Sequence, residues 1–134
     1  LPGQLLGSQN DMATIRLDCV AESSFARQLK KGVMDMIVLQ LVGEKDTYGY
    51  ELIQELSRRG EDFFTLKEGT LYPVLYRLED NGLIEAFWKH EEGRSVPKKY
   101  YRITENGREK LREYIGVWKS FENCVDSLCG EGEP

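Results

Sequence analysis

Residues 68–103 are EGTLYPVLYRLEDNGLIEAFWKHEEGRSVPKKYYRI, and the period of their apolar residues changes halfway along the stretch. In the first half, Leu71, Leu75 and Leu78 recur at the spacing of one helix face. Gly82, after an asparagine, supplies the left-handed residue that commonly ends a helix. The first half therefore predicts a helix with its leucines in the core.

The second half of this stretch predicts a β-hairpin. Aromatic and β-branched runs occupy 83–90 and 98–103, and the link EEGRSVP between them contains Gly and Pro. Because Pro73 is tolerated only in a first helical turn, we expect the preceding helix to begin near 68–70. A helix followed directly by a two-stranded hairpin is the second half of a winged helix-turn-helix.

Two further helices are predicted upstream. From Phe25 onward, apolar residues form two neighbouring stripes, which indicates a helix buried on more than one side. We expect this helix to serve both the core and a second subunit, with Met34 and Val38 at the dimer interface. Thr47 is the expected N-cap of the next helix, and Gly60 closes it.

A last helix is predicted after the hairpin, with Thr104 as its cap. Its apolar residues alternate at spacings of three and four, as in a coiled-coil seam. Gly116 weakens this helix by about 1 kcal/mol relative to Ala, so packing must stabilise it. The residues expected at a dimer interface are Leu111, Tyr114, Trp118, Phe121 and Val125, and Leu128 continues the seam.

The expected fold class is mainly α with a small β-hairpin: a winged helix-turn-helix plus one C-terminal dimerisation helix. The corresponding division is an N-terminal extension at 1–24, a DNA-binding domain at 25–104, the dimerisation helix at 105–128 and an acidic tail at 129–134. The extension lacks periodicity, and Met12 is a candidate native start preceded by vector-derived residues.

Charge is unevenly distributed along the chain. The net charge of −5 argues against indiscriminate nucleic-acid binding. Between Lys89 and Arg102, however, basic residues outnumber acidic ones, whereas the last residues from Glu122 onward are acidic. A basic strip on an acidic protein is compatible with specific DNA binding.

Several functional classes are disfavoured. No stretch approaches the roughly 18–20 apolar residues of a membrane span, and no signal-peptide pattern opens the chain. His90, the only histidine, has no Cys or Ser at a catalytic spacing, and no GxGxxG, phosphate-loop or HExxH motif occurs. Cys19, Cys124 and Cys129 match no zinc or redox spacing, so we expect reduced thiols in a cytoplasmic protein. We expect no enzymatic activity, cofactor or metal; a thiol or metal sensor at Cys124 and Cys129 is a weaker alternative.

The arc of the third helix opposite its leucines has residues suited to base and phosphate contacts, namely Thr70, Tyr72, Pro73, Tyr76 and Arg77. Packing of the two tyrosines on the hairpin or the first helix is an equally good interpretation. Arg94, Lys98 and Lys99 cluster at the end of the hairpin, where a wing meets phosphates.

Three motifs resemble the PadR family of transcriptional regulators in order and spacing: YGYELI at 48–53, GTLYPVLYRLEDNGLI at 69–84 and KKYYRIT at 98–104. The resemblance covers 28–121. It implies a winged-helix homodimer that represses transcription. The single last helix is similar to the compact branch of the family.

By position, the resemblance places the recognition helix at 68–81 and the wing at 83–103. The implied DNA contacts are Tyr48, Tyr50, Lys67, Thr70, Tyr72, Pro73, Tyr76, Arg77, Arg94, Lys98 and Lys99. In some compact members, a tryptophan on the last helix faces its symmetry mate and lines a pocket for flat aromatic molecules. Trp118 has a comparable position, and an interface tryptophan that only packs is the other interpretation.

The expected function is a sequence-specific DNA-binding repressor, homodimeric and released by a small aromatic effector. Its partners would be a double-stranded operator, a second copy and that effector. The alternative is a winged-helix protein-interaction module without operator binding, in which exposed tyrosines anchor another protein. The overall acidity favours the alternative slightly.

Overall fold

The computed structural model of the protein describes residues 23–93 and 96–130. The predictions for Met12, Cys19, Arg94 and most of the N-terminal extension and acidic tail therefore lie outside the described residues.

The described part of the chain contains four α-helices, a short 3₁₀ helix and three strands. The helices are α1 (Ser24–Glu44), α2 (Gly49–Arg59), the 3₁₀ helix (Glu61–Phe64), α3 (Glu68–Asp80) and α4 (Glu105–Leu128). The strands are β1 (Thr47–Tyr48), β2 (Ile84–Lys89) and β3 (Lys98–Ile103). This order confirms the expected class, which is mainly α with a small antiparallel sheet. Each helix of the described ranges is too short or too polar to cross a membrane.

The sheet has three antiparallel strands in the order β1-β3-β2, so the two-stranded prediction was incomplete. Thr47 is paired with Tyr101 in the sheet and is not the N-cap of α2; that position belongs to Tyr48. The Thr47 hydroxyl instead donates to the Glu51 carboxylate at 2.6 Å. A strand of two residues is too short for a period of two to show in the sequence.

The core lies between the helices and the inner face of the sheet. Leu71, Leu75 and Leu78 of α3 are fully buried, as predicted. Val38 of α1 is 0% exposed and Met34 is 5% exposed within this single chain. Both side chains belong to the chain's own core and leave almost no surface for a second subunit, which corrects their assignment to a dimer interface.

The ends of α3 follow the sequence prediction closely. The helix begins at Glu68, within the predicted range of 68–70. Pro73 lies in the second turn, so its predicted place in the first turn was wrong. At the other end, Gly82 has φ +74°, and the N–H of Leu83 donates to the Leu78 carbonyl at 2.9 Å. The left-handed stop is therefore confirmed, and it turns the chain directly into β2.

Helix α4 is fixed to the end of α3 by its cap. The Thr104 hydroxyl accepts from the Gly107 N–H at 3.0 Å and donates to the Gly82 carbonyl at 2.7 Å. Leu111 and Tyr114 then pack against the core of their own chain. The rest of α4 extends beyond the winged helix, and residues 119–128 are exposed.

Candidate nucleic-acid interface

A cleft of about 600 Å³ opens between the start of α2, the outer side of α3 and the start of β3. Five tyrosines, two lysines and a glycine line it, and we call it the tyrosine–lysine cleft: Tyr48, Gly49, Tyr50, Tyr72, Tyr76, Lys98, Lys99 and Tyr101. Three separate segments of the sequence thus meet in one surface feature.

Gly49 determines how closely α3 approaches α2 in this cleft. It is the first residue of α2, and a Cβ placed on it would lie 2.2 Å from the Tyr72 hydroxyl oxygen. Only glycine therefore allows the Tyr72 phenol to lie over the start of α2. Burial raises the pKa of Tyr72, which keeps its hydroxyl neutral and able to donate a hydrogen bond.

The two lysines of the cleft lie on aromatic rings. Lys98 Nζ is 4.2 Å from the centroid of the Tyr48 ring and 3.8 Å from the Glu91 carboxylate. Lys99 Nζ is 6.0 Å from the centroid of the Tyr76 ring. The ring faces attract the ammonium groups, so both charges lie at the cleft, beside α3 and at the start of β3.

The Tyr101 hydroxyl is a buried polar group of the cleft wall. It has no hydrogen-bond partner among the described residues. Burial raises the pKa of Tyr101 to about 12, so the phenol is neutral at physiological pH. An unpaired buried hydroxyl costs roughly 1–3 kcal/mol, and an oxygen of a bound ligand in the cleft would relieve that cost.

The exposed arc of α3 borders the cleft. Thr70, Pro73 and Tyr76 are exposed on it, and Lys67 is exposed at its N-cap. Within the described ranges, neither Tyr48 nor Lys67 caps its helix with a side-chain hydrogen bond. At both N-termini, no side-chain oxygen of the cap residue therefore competes with an anion, although the Thr70 N–H of α3 already donates to the Lys67 carbonyl at 3.0 Å.

Arg77 does not share this surface, which corrects its prediction as a groove-facing residue. Its guanidinium forms two hydrogen bonds to Asp35 of α1, from Nη2 to Oδ1 at 2.5 Å and from Nε to Oδ2 at 3.2 Å. One helical residue is a rotation of about 100°, which carries Arg77 from the side of Tyr76 to the side of α1. Arg77 thus connects α3 to α1.

A second groove, of about 710 Å³, lies between α1 and α4. Trp118 is half-buried in its wall, with its ring centroid 6.3 Å from that of Phe121. Asp35 and Arg77 line the same groove. Trp118, the residue predicted to bind an effector, therefore lines the same groove as the Asp35–Arg77 pair that connects α1 to α3. We call it the Trp118 groove.

The outer half of the predicted seam is uncovered in the single chain. Phe121 is 55%, Val125 37% and Leu128 82% exposed. Phe25 and Leu29 on α1 are exposed as well.

Cys124 and Cys129 are free and exposed, and no group of residues able to hold a metal ion occurs at 23–93 or 96–130.

Sequence reasoning missed Gly49, Tyr101 and Asp35, whose roles depend on partners distant in the chain. It also missed Trp88, an exposed aromatic residue of β2. The alternation of β2 could have identified the face on which Trp88 lies. Trp88 is four residues after Ile84, which is buried, so both lie on the side of the strand that faces the rest of the domain.

The sequence of the chain is similar to those of known proteins. Residues 38–113 match the transcriptional regulator PadR-like family. An uncharacterised protein of Lysinibacillus sphaericus is 42% identical over 96 residues, which are 72% of this chain and 87% of that protein. The transcriptional regulator Rv3488 of Mycobacterium tuberculosis is 34% identical over 87 residues, which are 65% of this chain and 77% of that protein.

A solved structure shows the same fold. The PadR-like transcriptional regulator of Bacillus cereus superposes with a TM-score of 0.68 at 34% identity, and the match covers 76% of this chain and 96% of that one. The members of this family are transcriptional regulators and not enzymes. On the extent of the family match, the fold and the identity to these relatives, the chain belongs to the PadR-like family of transcriptional regulators.

Proposed function

We propose that the chain is a sequence-specific DNA-binding repressor that acts as a homodimer. The observation that carries the proposal is the tyrosine–lysine cleft beside the exposed arc of α3. Ammonium groups, phenol hydroxyls and two helix N-termini are the donors that phosphate oxygens accept from. Since this surface adjoins the helix that can enter a major groove, phosphate contact and base contact can occur together.

In the proposed complex, Thr70, Pro73 and Tyr76 of α3 face the base edges. Tyr48 and Tyr50 at the start of α2, together with Lys67, Lys98 and Lys99, contact the flanking backbone, and Tyr72 supports α3 between them. Base contacts determine sequence preference, and backbone contacts determine position and most of the salt-dependent affinity.

The exposed outer half of α4 and the start of α1 form the proposed dimer interface. The exposed apolar residues on these elements are Phe25, Leu29, Phe121, Val125 and Leu128. A twofold axis at this interface would present two α3 helices to successive major grooves, about 34 Å apart. The operator would then be a palindrome or close to one.

The Trp118 groove is the proposed site of a small aromatic effector, since a half-buried indole beside Phe121 suits a flat ring. Asp35 and Arg77 give the groove a direct connection to α3. A ligand there changes DNA affinity only to the extent that it discriminates between two positions of α3. A cytoplasmic location is part of this proposal.

The alternative is a protein-interaction module, which the exposure of Tyr50 and Tyr76 also favours. Selection of bound fragments from a genomic library separates the two functions. Repression predicts one enriched motif, which competes for binding far better than scrambled DNA does. A selection that enriches no motif supports the alternative.

Substitution of the cleft lysines tests the proposed surface. The double variant K98A/K99A should weaken operator binding and reduce the slope of log K against log salt by up to about 2, because each lost phosphate contact removes close to one unit. The matched control K110A/K119A removes the same charge from α4 and should leave the slope unchanged. An unchanged slope in K98A/K99A would exclude the wing from the contact surface.

A further inference from the structure

Trp88 is a large aromatic side chain left exposed on the wing. It lies near the end of β2, and 66% of its surface is accessible in the single chain. The second tryptophan of the chain, Trp118, is half-buried between two helices, so the two indoles have different surroundings.

The register of the sheet places Trp88 opposite Lys99. Directly paired residues of antiparallel strands point to the same face. Lys99 Nζ lies 5.6 Å from the centroid of the Tyr101 ring and 6.0 Å from that of Tyr76 on α3. The face that carries Trp88 is therefore the inner face of the wing, which is turned toward the recognition helix.

The side chains of this inner face are buried at one end of the strands and more exposed at the other. The strand residues 84–89 and 98–103 contribute Ile84, Ala86, Trp88, Lys99, Tyr101 and Ile103 to it. Ile84 and Tyr101 are buried, whereas Trp88 and Lys99 lie farther along the strands, beside the tyrosine–lysine cleft. Of the residues on this face, Lys99 alone carries a charge. Two acidic residues of the wing have partners off this face: Glu85 of β2 pairs with Arg102, and Glu91, just after β2, accepts a hydrogen bond from Tyr100 at 2.7 Å.

We propose that Trp88 is a DNA-contacting residue of the wing, whose indole packs on a deoxyribose next to the phosphate bound by Lys99. This inference rests on the proposed function. An indole beside one ammonium group fits the DNA backbone, in which each apolar sugar face adjoins one negative phosphate. An acidic protein partner would need further basic residues on this face, and the strands supply none there.

The contact of a neutral ring has a distinctive signature. W88A should bind the operator about 10-fold more weakly, while the slope of log K against log salt stays that of the wild type, because no counterion is released at a neutral contact. K99A should lower that slope by about one unit. W88F retains a flat ring and should recover most of the lost affinity.

Fluorescence shows the contact directly, since Trp88 and Trp118 are the only tryptophans. Titration of the wild type with operator DNA should quench part of the emission. W88F, which keeps Trp118, should lose that quenching while it still binds DNA in a gel shift. Equal quenching in the wild type and W88F, or an unchanged affinity of W88A, would overturn the assignment.

The same experiments distinguish this inference from the proposed function. If the wild type binds no DNA at all, the proposed function fails. If the wild type binds DNA and the Trp88 variants show the same affinity and quenching as the wild type, this inference alone fails. Light scattering of W88A should show the wild-type mass, and a smaller mass would assign Trp88 to a contact between subunits and overturn the proposal.

Discussion

The position of the Tyr72 ring depends on the absence of a side chain at Gly49, so adding one methyl group at Gly49 tests the role of Tyr72. In G49A, the new methyl group overlaps the Tyr72 hydroxyl and must displace the ring. Because the displaced atoms are the end of a flexible side chain, the free energy of unfolding should change by less than about 1 kcal/mol. Operator affinity should fall about 10-fold, since the proposed site loses the support of Tyr72. An unchanged affinity in a folded G49A protein would show that Tyr72 has no part in binding.

Two neighbouring tyrosines predict how stability depends on alkaline pH. The hydrogen bond to Glu91, and then burial, raises the pKa of Tyr100 to about 12, and burial raises that of Tyr101 to about 12. Both pKa values exceed the ordinary value of 10.0, so the neutral phenols stabilise the folded state fully below pH 10 and lose that contribution as pH rises to about 12. The urea midpoint should therefore fall across this window. Y100F should show a smaller fall, and an equal fall in Y100F would contradict the assignment to Tyr100.

Helix α4 contains two glycines with opposite predicted effects, because one lies against backbone of its own chain and the other faces open space. A Cβ at Gly107 would lie 2.0 Å from the Leu83 carbonyl oxygen, which is backbone and cannot move aside. G107A should therefore lower the free energy of unfolding by roughly 3 kcal/mol. Gly116 faces open space, and G116A should raise it by up to about 1 kcal/mol through helix propensity. Denaturant unfolding of the two variants side by side is the measurement, and equal effects would show that α4 does not pack as described.

The whole molecule is expected to work as two copies, and the exposed end of α4 tests this. F121E/V125E places two charges on the proposed interface and should yield a monomer at micromolar concentration with much weaker operator binding. Sedimentation gives the mass, and a gel shift gives the affinity. The control S120E adds a charge to a neighbouring exposed position outside the seam and should remain dimeric. A dimeric F121E/V125E protein would place the subunit contact elsewhere.

Dimerisation also predicts that stability depends on protein concentration in the wild type and not in F121E/V125E. The exposed apolar residues of α1 and α4 are one surface in this interpretation, because α1 packs against α4 within each chain.

The amino-acid sequence by itself determined the local features of this protein. The leucine face of α3, the stop at Gly82, the cap at Thr104 and the two long strands all depend on residues within a few positions of one another, so spacing alone predicts them. The tertiary structure decided the partner of each side chain. Arg77 contacts Asp35, and Val38 is buried in the chain's own core. Thr47 lies in β1, a strand that exists only because it pairs with β3. A periodic pattern shows which side of an element is buried, but the packing of segments distant in the sequence decides what lies against that side.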